Sequence, residues 1–171
     1  GVEAAVAALK LAAKIGVRAV LNASPTAAEF PWGDVAIDTV IVNELECRDV
    51  CGLAPAELAA LASAARTARL SELRIGHLVV TQGAEPTLHV FAENVAEVPV
   101  FPVQPRDTVG AGDTFAGALA AELAAGRAWA VALRYANVAA ALSTLAVGAQ
   151  TAMPRRAEVE RALGGAASSS G

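Results

Sequence analysis

Asp107-Thr108-Val109-Gly110-Ala111-Gly112-Asp113-Thr114-Phe115 joins a turn of small residues to the start of an apolar helical pattern. Gly110, Ala111 and Gly112 carry almost no side-chain bulk, so an anionic ligand could approach the backbone N–H groups closely. A helix over residues 112–125 would aim its unpaired N-terminal donors and the positive end of its dipole at that ligand. Asp113 then falls in the first turn, where a carboxylate can take the proton of a hydroxyl during phosphoryl transfer, and it is the candidate general base. The same residues also read as a helix-capping Asp after a glycine turn, a common way to begin a helix.

Working outward, strands alternate with helices. Residues 2–15 have a helical period of apolar positions, stopped by Gly16, and residues 18–22 and 39–42 are short apolar runs that read as buried parallel strands. Residues 55–70 read as one Ala/Leu helix opened by Pro55, and 77–81 as the next strand. Residues 87–92 and 95–101 read as an antiparallel hairpin at a sheet edge, turning at Glu93-Asn94. Helices over 112–125, 128–147 and 155–163 follow, and the Gly, Ala and Ser of 164–171 are expected to form a flexible tail. The pattern predicts an α/β layer sandwich with a mostly parallel sheet, whose ligands sit at the carboxyl ends of the strands. Asn22, Asn43 and Thr81 stand there.

Composition narrows the classes. The 171 residues are 55% apolar and 18% charged, enough for one sizeable core, with one domain as the default. The net charge of −4 is spread along the chain without a basic stripe, which argues against nucleic acid and membrane surfaces as partners. Glu122, Arg127 and Arg134 interrupt the long Ala-rich region, and no signal sequence is read, so a soluble cytoplasmic protein is expected. Gly1 already lies in a helical pattern and the only methionine is Met153, from which we expect a piece of a longer chain. Neither G-x-x-x-x-G-K-[ST] nor G-x-G-x-x-G occurs, which removes the main support for P-loop and dinucleotide-binding readings.

Asn43 and Glu46 lie three apart at a strand-to-helix turn. Such a pair can order the water shell of magnesium, which keeps most of its waters, or can form a capping box. Asn137 reads as a polar helix residue facing water or a neighbouring backbone. Cys47 and Cys51, four apart on a helix, lack the His or Cys partners of a zinc set and read as reduced, partly buried thiols. His77 and His89 have no metal spacing and read as ordinary sheet histidines, and Trp32 and Trp129 as packing residues. Arg106 reads as solvated.

The string 107–115 resembles the C-terminal signature of the PfkB, or ribokinase-like, family of carbohydrate kinases. Asn43-Glu44-Leu45-Glu46 resembles the family's N-x-x-E motif, which serves magnesium and phosphate. Asn22-Ala23-Ser24-Pro25 resembles its Asn-Pro-Ala-Pro strand end, with Ala23 in place of the first Pro. Thr81-Gln82-Gly83 resembles its Thr-x-Gly loop beside the nucleotide phosphates, though Pro86 replaces a frequent second Gly. Asn137 lies in a segment similar to the helix lining the adenine pocket. Gly148-Ala149-Gln150 followed by Pro154 is more similar to the ribokinase branch than to the fructokinase branch. In the ribokinase branch a monovalent cation, usually potassium, sits beside the anion hole. By position its ligands would be Asp107, Val109, Ser143, Ala146 and Gly148, with Ala152 where a Ser is often found.

The resemblance implies a three-layer α/β/α sandwich with an antiparallel edge hairpin, missing its N-terminal part and lid. It implies a sugar kinase that transfers the ATP γ-phosphate to ribose. Gly110, Ala111, Gly112 and Asp113 would form the anion hole and base, and Asn43, Glu46, Thr81, Gly83 and Asn137 the nucleotide side. ATP or ADP, Mg2+ and K+ are the implied cofactors, a sugar is the implied acceptor, and a homodimer is the implied full-length assembly. Two other readings stay open: a non-catalytic nucleotide-binding or assembly module, and a kinase of the same family for fructose 6-phosphate or adenosine.

Overall fold

The structure, a computed structural model, describes residues 1–168 and comprises two compact units. The first contains residues 1–83 and 87–97, and the second contains 84–86 and the chain from Val98 onward. Twelve elements follow in order. They are α1 (Val2–Ile15), β1 (Val20–Asn22), β2 (Ile37–Asn43), α2 (Glu44–Cys51), α3 (Pro55–Ala60) and α4 (Ser63–Glu72), then β3 (Ile75–Gln82), β4 (Glu85–Phe91), β5 (Asn94–Val98), α5 (Ala111–Ala124), α6 (Trp129–Ser143) and α7 (Arg156–Ser168).

The five strands form one sheet in the order β1-β2-β3-β4-β5. β1, β2 and β3 are parallel, with Val20 opposite Thr39, Val40 opposite Leu78 and Asn43 opposite Thr81. β3, β4 and β5 are joined by connections of only two residues, which antiparallel strands alone can use. The sheet is therefore mixed and mostly parallel in its first half, with the expected hairpin at its edge. Val40, Val42, Leu78, Val80, Leu88 and Val90 share one face and pack with residues of α1 to α4, among them Leu9, Cys47, Leu58 and Leu70. Ile41 and Val79, on the other face, are also buried. Burial on both faces is why these strands read as unbroken apolar runs.

α1 keeps its expected bounds and ends on Gly16 at φ 70°, the left-handed conformation that glycine adopts without a Cβ penalty. Several other bounds move. The expected helix over 55–70 is two helices, broken where Leu61 and Ala62 turn extended (ψ 144° and 146°). The guanidinium of buried Arg66 explains the break: its Nη1 donates to the carbonyls of Ala59 and Leu61, the orphaned acceptors at the end of α3. β5 stops at Val98, before Phe101, because Pro99 has no N–H for a ladder. α6 stops at Ser143 rather than at 147. α7 continues past Leu163 into the Gly/Ala/Ser stretch, since each residue added to a formed helix needs only its own hydrogen bond. Residues 169–171 of the expected tail lie outside the described residues.

In the second unit α5, α6 and α7 pack around Tyr135, Val138, Ala139 and Val159, with Phe101, Ala118 and Leu142 at the margin. Asn137, 5% exposed in α6, donates from Nδ2 to the carbonyls of Val98 (3.2 Å) and Pro99 (3.1 Å). Those two carbonyls lie at the last residue of β5 and the residue after it.

Candidate active site

The first unit places its polar residues at the carboxyl edge of the parallel strands. Asn43 ends β2, Thr81 faces it in register on β3, and Asn22 ends β1. Thr81 donates its hydroxyl to the carbonyl of Val42 (3.3 Å). Gly83, at φ 60°, forms with Ala84 the tight connection from β3 to β4, so the expected Thr-x-Gly loop is a two-residue turn with Pro86 already inside β4.

Asn43 and Glu46 form a reciprocal capping box. Asn43 Oδ1 accepts from the N–H groups of Leu45 (2.9 Å) and Glu46 (3.0 Å), and Glu46 Oε2 accepts from the Asn43 N–H at 2.7 Å. Of the two readings left open by the sequence, the cap is the one whose hydrogen bonds are formed. Oxygen donors of this kind suit magnesium through its water shell, and Asn43 is exposed where Glu46 is buried.

The second unit holds the signature stretch. Gly110 is the N-cap of α5 at φ 80°, with no side chain to cap the helix. The first intrahelical bond is from the Thr114 N–H to the Gly110 carbonyl (2.9 Å), and the Thr114 hydroxyl donates to the same oxygen (2.9 Å). The Ala111 N–H turns back to Thr108 O at 3.2 Å, while that of Gly112 precedes the helical ladder. Asp113 is exposed in this first turn.

The two glycines differ in what surrounds them. A Cβ built on Gly110 would lie 3.0 Å from the Ala149 Cβ and 3.1 Å from its Cα, whereas one built on Gly112 would meet nothing within 4 Å. Gly110 is required by the protein's own packing and backbone. Gly112 sits in a helical turn where glycine weakens the helix, and nothing in the protein fills the space before it.

Asp107 organises the neighbouring loop. Its Oδ2 accepts from the Gly148 N–H (2.9 Å) and its Oδ1 from the Val109 N–H (3.0 Å). Those bonds, Gly148 first, hold its carboxyl below the usual carboxylate range. The N–H groups of Arg106 and Asp107 both donate to Thr144 O. Asp107, Val109 and Gly148 of the expected cation set are thus brought together. Ser143 is buried at the end of α6 with its hydroxyl on Ala140 O (2.7 Å), and Ala146 lies in the exposed turn beyond. The contacts that gather Asp107, Val109 and Gly148 run through N–H groups, so a carboxylate is present but no ring of oxygen donors is shown around it.

Among the described residues, no group of three or more His, Cys, Asp or Glu is placed to hold a metal ion. His77 and His89 are nonetheless partners: Nδ1 of one lies 2.9 Å from Nε2 of the other, and their rings stack with Phe91. Burial pushes both below the usual histidine value, His89 to about 4. Cys47 and Cys51 are free and fully buried, and the hydrogen bond they share pushes Cys47 up and Cys51 down. No helix among the described residues is long and apolar enough to cross a membrane.

Sequence reading missed three contributors: Ala149, which packs on Gly110; Thr144, whose carbonyl gathers two loop amides; and the buried Glu122 with Arg156. Only Glu122 left a signal, as a carboxylate in the Ala/Leu second half of α5.

The first unit is an α/β sheet with polar residues at its parallel strand ends, and the second opens a helix with a side-chain-free glycine turn, two features common in α/β proteins that bind phosphate. Residues 2–156 match the pfkB family of carbohydrate kinases, and the chain belongs to that family, whose members are phosphotransferases. It is 46% identical over 86 residues to the ribokinase of Bacillus subtilis, covering 50% of this chain and 29% of that protein. It is 30% identical to the fructokinase of Vibrio alginolyticus over 84% of this chain and 50% of the relative. The ribokinase of Arabidopsis thaliana, complexed with ribose and ATP, superposes with a TM-score of 0.82 at 26% identity, over 95% of this chain and 53% of that one. The chain spans about half the length of these relatives or less.

Proposed function

We propose that this chain is the nucleotide-binding and base-bearing part of an ATP-dependent sugar kinase of ribokinase type. The observation that carries the reading is the start of α5: an uncapped glycine turn with open space at Gly112 and an exposed carboxylate at Asp113. The Gly110, Ala111 and Gly112 backbone would stabilise charge gathering on the transferred phosphoryl group, and Asp113 would accept the proton of the sugar hydroxyl. ATP supplies the phosphoryl group. Magnesium would be held through water by Asn43 and Glu46 beside Thr81 and Gly83, and would supply positive charge against the phosphates. Asn137 would serve by fixing α6, the wall that the resemblance gives to adenine, and exposed Leu145 and Val147 offer apolar surface of the kind a purine covers. Asp107, with the oxygens of Val109, Ser143, Ala146 and Gly148, would hold potassium. The acceptor is ribose, the full-length protein a cytoplasmic homodimer.

Calorimetric titration with ADP and magnesium, in potassium and then in sodium, tests this. Saturable one-site binding that is tighter in potassium is expected. A folded chain that binds no nucleotide in either salt sinks the reading of this chain as a nucleotide-binding unit.

A further inference from the structure

α5 carries a charge that none of the roles above uses. Glu122 is 3% exposed in a helix otherwise made of Ala, Leu and Gly near that end. Its Oε1 accepts from Arg156 Nη2 at 2.6 Å, and Oε2 lies 3.8 Å from Arg127 Nε. Arg156 in turn lies over the Tyr135 ring, 5.2 Å from its centroid, and 3.6 Å from Glu160. A buried carboxylate is costly unless its partner is well placed, and in some proteins such groups are kept for the geometry they specify.

What this pair specifies is where the chain re-enters the helical layer. Arg156 opens α7 and so ends the strap 144–155 that follows α6. The strap's other end is fixed by the Gly148 N–H on Asp107 and by Thr144 O. Between Gly148 and Arg155 the strap's bonds are a 3.3 Å bond from the Met153 N–H to Gln150 O and a 3.5 Å contact from the Thr151 hydroxyl to Val147 O, with Ala152 buried, and Arg155 is already tied to α7 by its N–H on Glu158 Oε2 (2.7 Å). In that stretch lies Ala149, the residue packed against Gly110. α5 thus bears the glycine turn at one end and Glu122 near the other, roughly 15–18 Å along the axis. The strap is stretched between two anchors that belong to the same helix or its leading loop.

We propose that Glu122 and Arg156 are positioning residues for the turn at Gly110, acting through the strap that presses Ala149 against it. The consequence for nucleotide rests on the function proposed above; the consequence for the strap does not. Amide hydrogen exchange on the chain separates them. In Glu122→Gln and in Arg156→Met, peptides covering 144–152 are expected to exchange at least tenfold faster, while α6 keeps its protection and Arg156→Lys restores the wild-type rate to within about threefold. ADP affinity should fall severalfold in the same two variants and recover in the third. Unchanged exchange over 144–152, or an increase shared equally by α5, α6 and the strap, overturns the proposal, the latter because a merely structural pair would loosen the whole unit. Should Glu122→Gln fail to fold, Arg156→Met decides, since that side chain is 54% exposed. A wild-type chain that binds no ADP counts against the nucleotide reading alone, and the exchange data still decide this one.

Discussion

The helices α2 and α5 both begin at residues the family motifs single out, yet one start is closed and the other open. At α2 the Asn43 and Glu46 side chains take up the early amides and the cap residue's own N–H. At α5 the cap is a glycine, and the nearest carboxylate before it, Asp107, is spent on Val109 and Gly148 instead. A helix start that satisfies its own donors gains stability; one that leaves them for a ligand gives that up for binding. On the proposed reading the open start at α5 carries the phosphoryl chemistry, and the closed start at α2 serves the metal only through water, with its capping bonds kept.

The sharpest way to break that contrast is Asp113→Asn in a turnover-competent protein that contains this chain. Turnover should fall by roughly 10²–10⁴, the usual contribution of a positioned base, with ADP affinity and unfolding free energy almost unchanged. Unchanged turnover would remove Asp113 from the mechanism. Next in size is Gly110→Ala, where a φ of 80° and the 3.0 Å approach of Ala149 combine. A loss of about 2–4 kcal/mol is expected, from the left-handed backbone and from overpacking, read as a lower denaturant midpoint. Asn43→Ala at the closed start should cost about 1–2 kcal/mol through loss of the cap. Its effect on magnesium-nucleotide affinity sharpens the comparison: a change larger than the stability loss would mean that the capping box also serves the ligand.

Legibility from sequence follows the same division between local and distant causes. Periodicity found the strand runs and most of the helices, because buried parallel strands read as Val/Ile/Leu blocks and α1 ends on a glycine, while α2 entered only as the helix after the Asn43 turn. It missed the break at Leu61-Ala62, since an Ala/Leu pattern carries no stop signal when the residue that ends α3 is Arg66, several positions later. At the site, the glycine turn and the Asn43–Glu46 spacing were legible because their partners lie within four residues. The meeting of Gly148 with Asp107 and Val109 entered only through the family resemblance, and the packing of Ala149 on Gly110 not at all, because backbone amides and an alanine methyl have no distinctive letter. Glu122 and Arg156, 34 positions apart, could be paired only in three dimensions.

Gly112→Ala is expected to have the smallest effect on function and bears most directly on the open start. The added methyl meets nothing within 4 Å, and alanine suits a helical turn better than glycine, so the unliganded chain should gain about 0.5–1 kcal/mol. The same methyl would stand where a phosphate must approach the backbone, so ADP affinity should fall severalfold while stability rises. Opposite signs in one variant are the signature of a glycine kept for a ligand. If the unfolding midpoint rose and ADP bound as tightly as before, the open space at α5 would not be the phosphate site, and the contrast with α2 would reduce to two styles of helix capping.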